Sequence, residues 1–303
     1  MSADPEPEAD MCCACCGIAE VDDIKLKRCT CKLVRYCGAK CQREHRPHHK
    51  RACKKRLAEL RDEILFKQPE SSHLGDCLIC CLPLPLDESK STMYPCCSKV
   101  ICVGCAHAND LREKEEMVKY SCPFCRQPVP RTQAESKLNQ MKRVAANDPI
   151  AIRERGCQCY HDGEYERAFE HLTKAADLGD IEAHYQLSLM YHFGKGVEKD
   201  ENRKNYHLEQ AAIGGHPMAR CNLGYEEWEN GRMERAVKHF IIAANLGHDT
   251  SMKVLREFCA VGLVKKEDFA AALSAHKASV DAIKSPQRDA AAEYEAAKAA
   301  RQN

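Results

Sequence analysis

From residue 148 onward, apolar side chains recur every three or four positions, the spacing that lays one stripe along an α-helix. The run EYERAFEHLTKAA (164–176) shows it, and RMERAVKHFIIAA (232–244) repeats it. Runs of a second kind, such as DIEAHYQLSLMYHFG (180–194), alternate with these. Between the two kinds stands a signature: Ala175-Ala176-x-x-Gly179, then Ala211-Ala212-x-x-Gly215, then Ala243-Ala244-x-x-Gly247, the second interval slightly shorter than the first. A repeat of that period predicts stacked helix–turn–helix units over residues 148–285, each too small to bury its apolar face alone. Paired alanines let two helices approach, and a glycine after them suits a left-handed helix end. Upstream, KKRLAELRDEILFKQP puts Leu57, Leu60, Ile64 and Leu65 on one helical face. This predicts a connecting helix over residues 54–70, closed by Pro69. Pro128, Pro130 and the polar run after them predict a boundary before the repeats. At the other end, AAAEYEAAKAARQN favours helix by propensity but has little apolar face, so residues 286–303 are expected to form an Ala-rich helix or a fraying tail.

Before residue 130, apart from that connecting helix, cysteine takes over from apolar periodicity. Of 22 cysteines, eighteen lie between Cys12 and Cys125 and four in the rest of the chain. The chain opens on MSADPEPEAD, an acidic, proline-bearing stretch expected to be a disordered tail over residues 1–10 and without the features of a secretory leader. No stretch approaches the roughly 18 apolar residues of a membrane span, so no membrane partner is expected. Dense cysteines in a reducing compartment are held as metal thiolates rather than disulfides, so the expected setting is intracellular, cytoplasmic or nuclear. Aromatic residues make up only 6% of the chain, with one tryptophan, which argues against one large aromatic core. The expected fold is mainly α: small zinc-stabilised N-terminal domains, then an α-helical repeat solenoid. Histidines from His161 onward lack ligand spacing and are expected on the surface or in helix packing.

The first cysteine cluster, residues 11–53, contains Cys13-x2-Cys16, Cys29-x-Cys31, Cys37-x3-Cys41 and His49-x3-Cys53. Zinc takes four such ligands in a tetrahedron, and a close pair supplies two from one tight turn, so four pairs make two closed structural sites. Two registers are open for the first pair, Cys12/Cys15 and Cys13/Cys16. The run from Tyr36 through Cys37, Cys41, Gln42 and His45 to His49 and Cys53 resembles the MYND-type zinc finger. That resemblance implies Cys13, Cys16, Cys37 and Cys41 on one zinc and Cys29, Cys31, His49 and Cys53 on the other. It also favours Cys13/Cys16, because Gly17 follows as in the family motif. The second pair departs from the family's C-x2-C by one residue. His45 reads as a structural histidine and His48 as exposed.

The second cluster, residues 74–130, contains Cys77-x2-Cys80, Cys96-Cys97, Cys102-x2-Cys105 and Cys122-x2-Cys125. It resembles an all-cysteine RING finger, whose first and third pairs share one zinc and whose second and fourth share another. The resemblance implies Cys77, Cys80, Cys102 and Cys105 on one ion and Cys96, Cys97, Cys122 and Cys125 on the other, making four zinc ions in all. Cys81 is left over and is expected to be a buried free thiol, an alternate ligand being the other reading. Ile79 matches the apolar position that in RING ubiquitin ligases packs on the ubiquitin-conjugating enzyme, Pro123 matches the second docking loop, and Arg126 the cation that contacts both enzyme and ubiquitin. Lys119-Tyr120-Ser121 stands where the family often has tryptophan. The repeats, with the loop GKGVEKD (194–200), resemble Sel-one-like repeats, relatives of the tetratricopeptide repeats, whose concave face binds proteins.

These resemblances imply a protein-interaction adaptor acting as a RING-type ubiquitin ligase, its partners a conjugating enzyme and unknown target proteins; the alternative is a non-enzymatic scaffold. No covalent nucleophile is expected. Ten Lys/Arg against four acids between Lys40 and Lys67 read either as a nucleic-acid patch or as compensation for thiolate charge. Phe66 is the one Phe, Tyr or Trp among them, which makes no base-stacking platform, so compensation is favoured and nucleic acid is not an expected partner. Fifteen ligating thiolates remove fifteen charges and four zinc ions restore eight, moving the formal charge from +1 to −6. The folded zinc form should therefore focus well below the sequence value of 7.5. Native migration near 7.5 would contradict four thiolate-rich zinc sites.

Overall fold

A computed structural model of the chain describes residues 12–21 and 23–300; the tail expected over residues 1–10 lies outside the described residues. The chain forms two compact units, divided between Lys67 and Gln68. Twelve α-helices occur among the described residues, and no helix of the described residues is long and apolar enough to cross a membrane.

In the first unit, β1 (Lys27–Arg28) and β2 (Arg35–Tyr36) pair antiparallel, with Lys27 opposite Tyr36, and lead into α1 (Ala39–Leu65). Its buried core is Cys13, Leu26, Cys29, Cys31 and Tyr36, more sulfur than hydrocarbon. The connecting helix expected over residues 54–70 is instead the C-terminal half of α1, which starts at Ala39 and ends at Leu65. The reason is the ligand spacing. Cys41, His45, His49 and Cys53 stand four apart, so the finger's own side chains lie along one helical face and the helix continues through them. Of the four apolar residues expected on one face, Leu65 is buried while Leu57 and Ile64 are exposed.

In the second unit, β3 (Ser91–Tyr94) and β4 (Lys99–Cys102) form an antiparallel hairpin, and Cys102 then caps α2 (Val103–Glu115) by accepting the Cys105 N–H at 3.4 Å. Cys77, Leu84, Tyr94, Ile101, Cys102, Cys105 and Cys122 make its core. Next comes α3 (Gln133–Ala145), a helix within the polar run expected to be a boundary. The Thr132 hydroxyl caps its N-terminus by accepting the Glu135 N–H at 3.2 Å, and Val144 at its far end packs on the repeat core.

The repeats are α4 (Pro149–His161) with α5 (Tyr165–Asp177), α6 (Ile181–Phe193) with α7 (Glu201–Ile213), α8 (Pro217–Glu229) with α9 (Met233–Asn245), and α10 (Asp249–Ala260) with α11 (Lys266–Ala282). All six alanines of the paired signature are buried, and Gly179, Gly215 and Gly247 adopt φ of 90°, 85° and 89°, the left-handed ends their position requires. A small residue set against a large one closes the α4/α5 and α8/α9 pairs. A Cβ on Gly156 would come within 2.9 Å of Leu172, and one on Gly224 within 2.8 Å of the Phe240 ring. Buried Ser188 holds the corresponding place in α6, and Leu208 that in α7. The first helix of each pair is capped by Asp148, Asp180, His216 and His248 in turn, each accepting a backbone N–H three residues on. Two of the histidines expected merely on the surface or in packing are therefore helix caps.

One of these caps also anchors the segment leading into the second cysteine cluster. The His73 N–H donates to the Gly215 carbonyl at 3.1 Å, and its ring stacks on His216 with centroids 4.3 Å apart. Both rings point Nε2 at the same Glu182 oxygen, His216 at 2.9 Å and His73 at 3.3 Å. Nδ1 of His216 accepts the Ala219 N–H, so Nε2 carries the proton donated to Glu182. Gly215 permits this approach, since a Cβ there would sit 2.6 Å from the Ser71 carbonyl.

Burial holds the His216 imidazolium below its usual pKa, against the opposing pull of Glu182. Burial works against the Glu182 carboxylate, but hydrogen bonds from His216 and His73 outweigh it and hold that group well below the carboxylate range. Below about pH 6.5 the unfolded chain therefore takes up a proton that folded His216 refuses, and the Glu182 contribution is lost only lower, beneath about pH 4.3. We expect stability to fall between about pH 7 and about pH 5.5, and His216→Asn, which keeps the cap acceptor, to flatten that fall by no more than about 1.4 kcal/mol per pH unit. Chemical denaturation of the helical signal at both pH values measures it, and an unchanged slope in the variant would refute the assignment.

Candidate metal centres

Four tetrads of soft ligand atoms converge, each with all its atoms within 4.8 Å of one another: Cys13, Cys16, Cys37, Cys41; Cys29, Cys31, His49, Cys53; Cys77, Cys80, Cys102, Cys105; and Cys96, Cys97, Cys122, Cys125. A zinc ion with four bonds of about 2.3 Å at tetrahedral angles places its sulfurs about 3.8 Å apart. Sulfur separations are 3.6 Å for Cys16–Cys37, 3.7 Å for Cys29–Cys53, 3.9 Å for Cys80–Cys102 and 3.6 Å for Cys97–Cys122. Cys96–Cys125 is tighter at 3.3 Å, and His49 turns Nε2 to within 3.1 Å of Cys31 Sγ. The residues fit the ion in number, softness and spacing. A fifth grouping, Cys15 with Cys41 and Glu44, shares Cys41 with the first tetrad.

The thiols behave as a set in each tetrad. Burial opposes ionisation of Cys13, but backbone N–H groups of Cys16, Cys37 and Cys15 outweigh it and hold that thiol at about 6. Cys29 and Cys77 are likewise brought to about 6, again by N–H donors working against burial. Their neighbours go the other way. Burial and the Cys29 thiolate push Cys53 up to about 11, burial and Cys102 raise Cys105, and burial and Cys125 raise Cys96. In each tetrad the protein's own donors draw one thiol down, Cys13, Cys29, Cys77 and Cys125 in turn, and a divalent cation would discharge the thiols that burial and their neighbours push up.

Backbone geometry explains how three of the four C-x2-C pairs are made, the fourth, Cys102-x2-Cys105, being the first turn of α2. Gly17, Cys81 and Arg126, each directly after the second cysteine of a pair, adopt φ of 74°, 55° and 59°. Each donates its N–H to the carbonyl of the pair's first cysteine, at 2.9, 2.8 and 2.9 Å. The turn thus demands a left-handed residue in that place. This gives the physical reason to pair Cys13 with Cys16: the other register would put Cys16, rather than Gly17, in the left-handed position. Cys12 is exposed and stands outside the four tetrads, and so does Cys81, expected to be buried but exposed because it sits on the left-handed corner of its turn. The shortened Cys29-x-Cys31 pair closes one residue earlier, with Lys32 at φ 62° donating to the Cys29 carbonyl at 2.8 Å.

Non-ligand residues take definite places. Tyr36 is buried and its hydroxyl lies 3.0 Å from Nδ1 of His45, whose ring stacks on His49 at 5.6 Å; His45 braces a candidate ligand and His48 is exposed. Ile79 is 45% exposed on the turn between Cys77 and Cys80, beside exposed Leu78. Pro123 is half-buried, and Arg126 is exposed on its left-handed backbone.

A non-glycine residue in the left-handed region costs about 1 kcal/mol. Cys81→Gly should therefore stabilise the zinc-loaded protein by about 0.5–1 kcal/mol without changing its metal content, and Gly17→Ala should destabilise by a similar amount. Denaturant midpoints beside metal analysis test both. Loss of one metal equivalent in Cys81→Gly would show that Cys81 is a ligand.

The MYND finger family matches residues 13–53, and the Sel1 repeat family matches residues 149–180, 181–216 and 217–248. The segment from Cys77 to Cys125 lies outside both matches. Among solved structures, the chain is similar to a Sel1 repeat protein from Oxalobacter formigenes, with 28% identity and a TM-score of 0.43 over 50% of this chain and 66% of that one. It is also similar to a protective antigen of uropathogenic Escherichia coli strains displaying an SLR fold, with 20% identity and a TM-score of 0.40 over 59% of this chain and 38% of that one. The chain therefore spans less than two thirds of the length of either. No curated protein matches it. The chain is a mainly helical protein that carries a MYND finger over residues 13–53 and three Sel1 repeats over residues 149–248.

Proposed function

We propose that this zinc-binding protein-interaction adaptor is a RING-type ubiquitin ligase that loads four zinc ions, two in the MYND finger and two in the module around Cys77–Cys125. The observation that carries the reading is the interleaving of the second cluster. Its first and third cysteine pairs form one tetrad and its second and fourth form another, while the turn inside the first pair leaves Leu78 and Ile79 exposed. Exposed apolar residues on a turn pinned at both ends make a docking point that loses little entropy on binding. Ile79 and Pro123 would receive a charged ubiquitin-conjugating enzyme. Arg126, with five donors in a planar fork, would hold ubiquitin and enzyme in the reactive orientation. Catalysis would be by positioning, with no covalent intermediate on this chain. The Sel1 repeats and the MYND finger would select the target proteins.

Discharge of ubiquitin from a panel of charged conjugating enzymes tests the proposal on zinc-loaded protein. Wild type should accelerate discharge by at least one enzyme, and Ile79→Ala and Arg126→Ala, each with its full zinc content, should lose at least about tenfold of that acceleration. Unaltered discharge across a broad panel would instead favour a scaffold.

A further inference from the structure

The C-terminal segment, for which fraying is one expectation, is an ordered helix, α12 (Pro286–Ala300). It packs on α2 in the second cysteine module, far earlier in the chain. Gln287, Arg288, Ala291 and Tyr294, at helical spacing, face that module. Ala291 is buried, and the Tyr294 ring lies 4.7 Å from that of His107. The backbones meet at Gly104, where a Cβ would lie 2.7 Å from the Arg288 nitrogen, so any side chain at that position would push the two helices apart.

Arg288 is 8% exposed, and its guanidinium is committed to the edge of the first tetrad of this module. Nη1 donates to the carbonyls of Pro83 at 2.8 Å and Ile283 at 2.7 Å. Nη2 donates to the Leu82 carbonyl at 3.3 Å and to Cys80 Sγ at 3.6 Å, while Nε is buried without a partner. The Gln287 carboxamide lies 3.8 Å from Cys105 Sγ, and its NH2 end is the one that suits a thiolate.

A divalent ion held by four thiolates carries two surplus negative charges. Burying those charges is costly unless donors and a cation stand against the sulfurs. Zinc leaves such a site when a thiolate is protonated or captured by a competing ligand, and a guanidinium donating to the sulfur opposes both events. We propose that α12 is the closing element of the Cys77/Cys80/Cys102/Cys105 site, with Arg288 the positioning residue that neutralises its thiolates and retains its zinc. The inference rests on the zinc reading of that tetrad but is independent of ligase activity. By linkage, the bound ion holds α12 in place as firmly as α12 holds the ion.

Full-length zinc-loaded protein, with Arg288→Ala, Arg288→Lys and Gly104→Ala, would be mixed with a chromophoric chelator and timed. Cysteine alkylation read by mass spectrometry would identify the emptied site. Arg288→Ala and Gly104→Ala should each release one zinc about tenfold faster or more, with new alkylation at Cys77, Cys80, Cys102 and Cys105 and wild-type rates elsewhere. Arg288→Lys, which keeps the charge but not the fork, should fall between. Hydrogen exchange over residues 286–300 should rise in step with loss of that zinc. Wild-type release rates in both Arg288→Ala and Gly104→Ala, or faster alkylation confined to other tetrads, would overturn the assignment. Wild-type protein with these four cysteines unprotected and one tetrad short of zinc would instead overturn the metal reading beneath it.

Discussion

Two thiolates about 3.7 Å apart repel by about 4 kcal/mol even at an effective dielectric of about 20, and each tetrad sets four ligand atoms at such distances. The protein's own donors draw down Cys13, Cys29 and Cys77, while burial and neighbouring thiols push Cys53 and Cys105 up. A divalent cation turns that mutual repulsion into attraction. Because cysteines also make up much of the buried core in both modules, removing the cation removes more than a bound ion. Cys31, Cys77 and Cys102, fully buried, would have to settle as neutral thiols against one another with little hydrocarbon to compensate. With the ions bound, folding free energy before residue 126 would in this sense be metal-binding free energy.

The solenoid obeys a different constraint. Its helices close on one another because small residues stand opposite large ones: Gly156 against Leu172, Gly224 against Phe240, and alanine pairs throughout. Burial here is conventional, and its periodicity survives the shortening of the second interval because the deficit falls in the loop between helices. The two regimes meet in the second unit. His73 is fastened to the repeats by Gly215, His216 and Glu182, and Arg288 reaches from the end of the solenoid to Cys80.

The division between what is readable in the sequence and what is not follows the range of the interactions. Ligand tetrads are legible because zinc imposes spacing on the chain itself, and the repeats because stacking imposes a period. The extent of α1 is also encoded locally, in the four-residue spacing of Cys41, His45, His49 and Cys53, but treating those residues as ligand pairs hides the helix they share. The register of the first pair has a local signal too: the left-handed turn selects Gly17, and the same turn accounts for Cys81, which no ligand count explains. His216 as a helix cap, and its tie to the sequence-distant His73, have no local signal.

The C-terminal helix shows this limit most sharply. Propensity alone makes residues 286–300 a marginal helix with alanine on most faces, and nothing in that composition says where it docks. Its docking depends on one glycine in α2, which leaves room for a backbone, and on one arginine that ties the Leu82 and Pro83 carbonyls to the edge of a sulfur cluster. Read alone, the tail lacks an apolar face; set against a thiolate cluster, it does not need one. An arginine near a chain end is ordinarily a solvated surface charge. What distinguishes Arg288 is that three of its four partners, the Leu82 and Pro83 carbonyls and Cys80, come from the turn that the candidate ligands Cys77 and Cys80 shape. A docking site created by metal-driven folding is invisible to any reading that treats the tail and the zinc module separately.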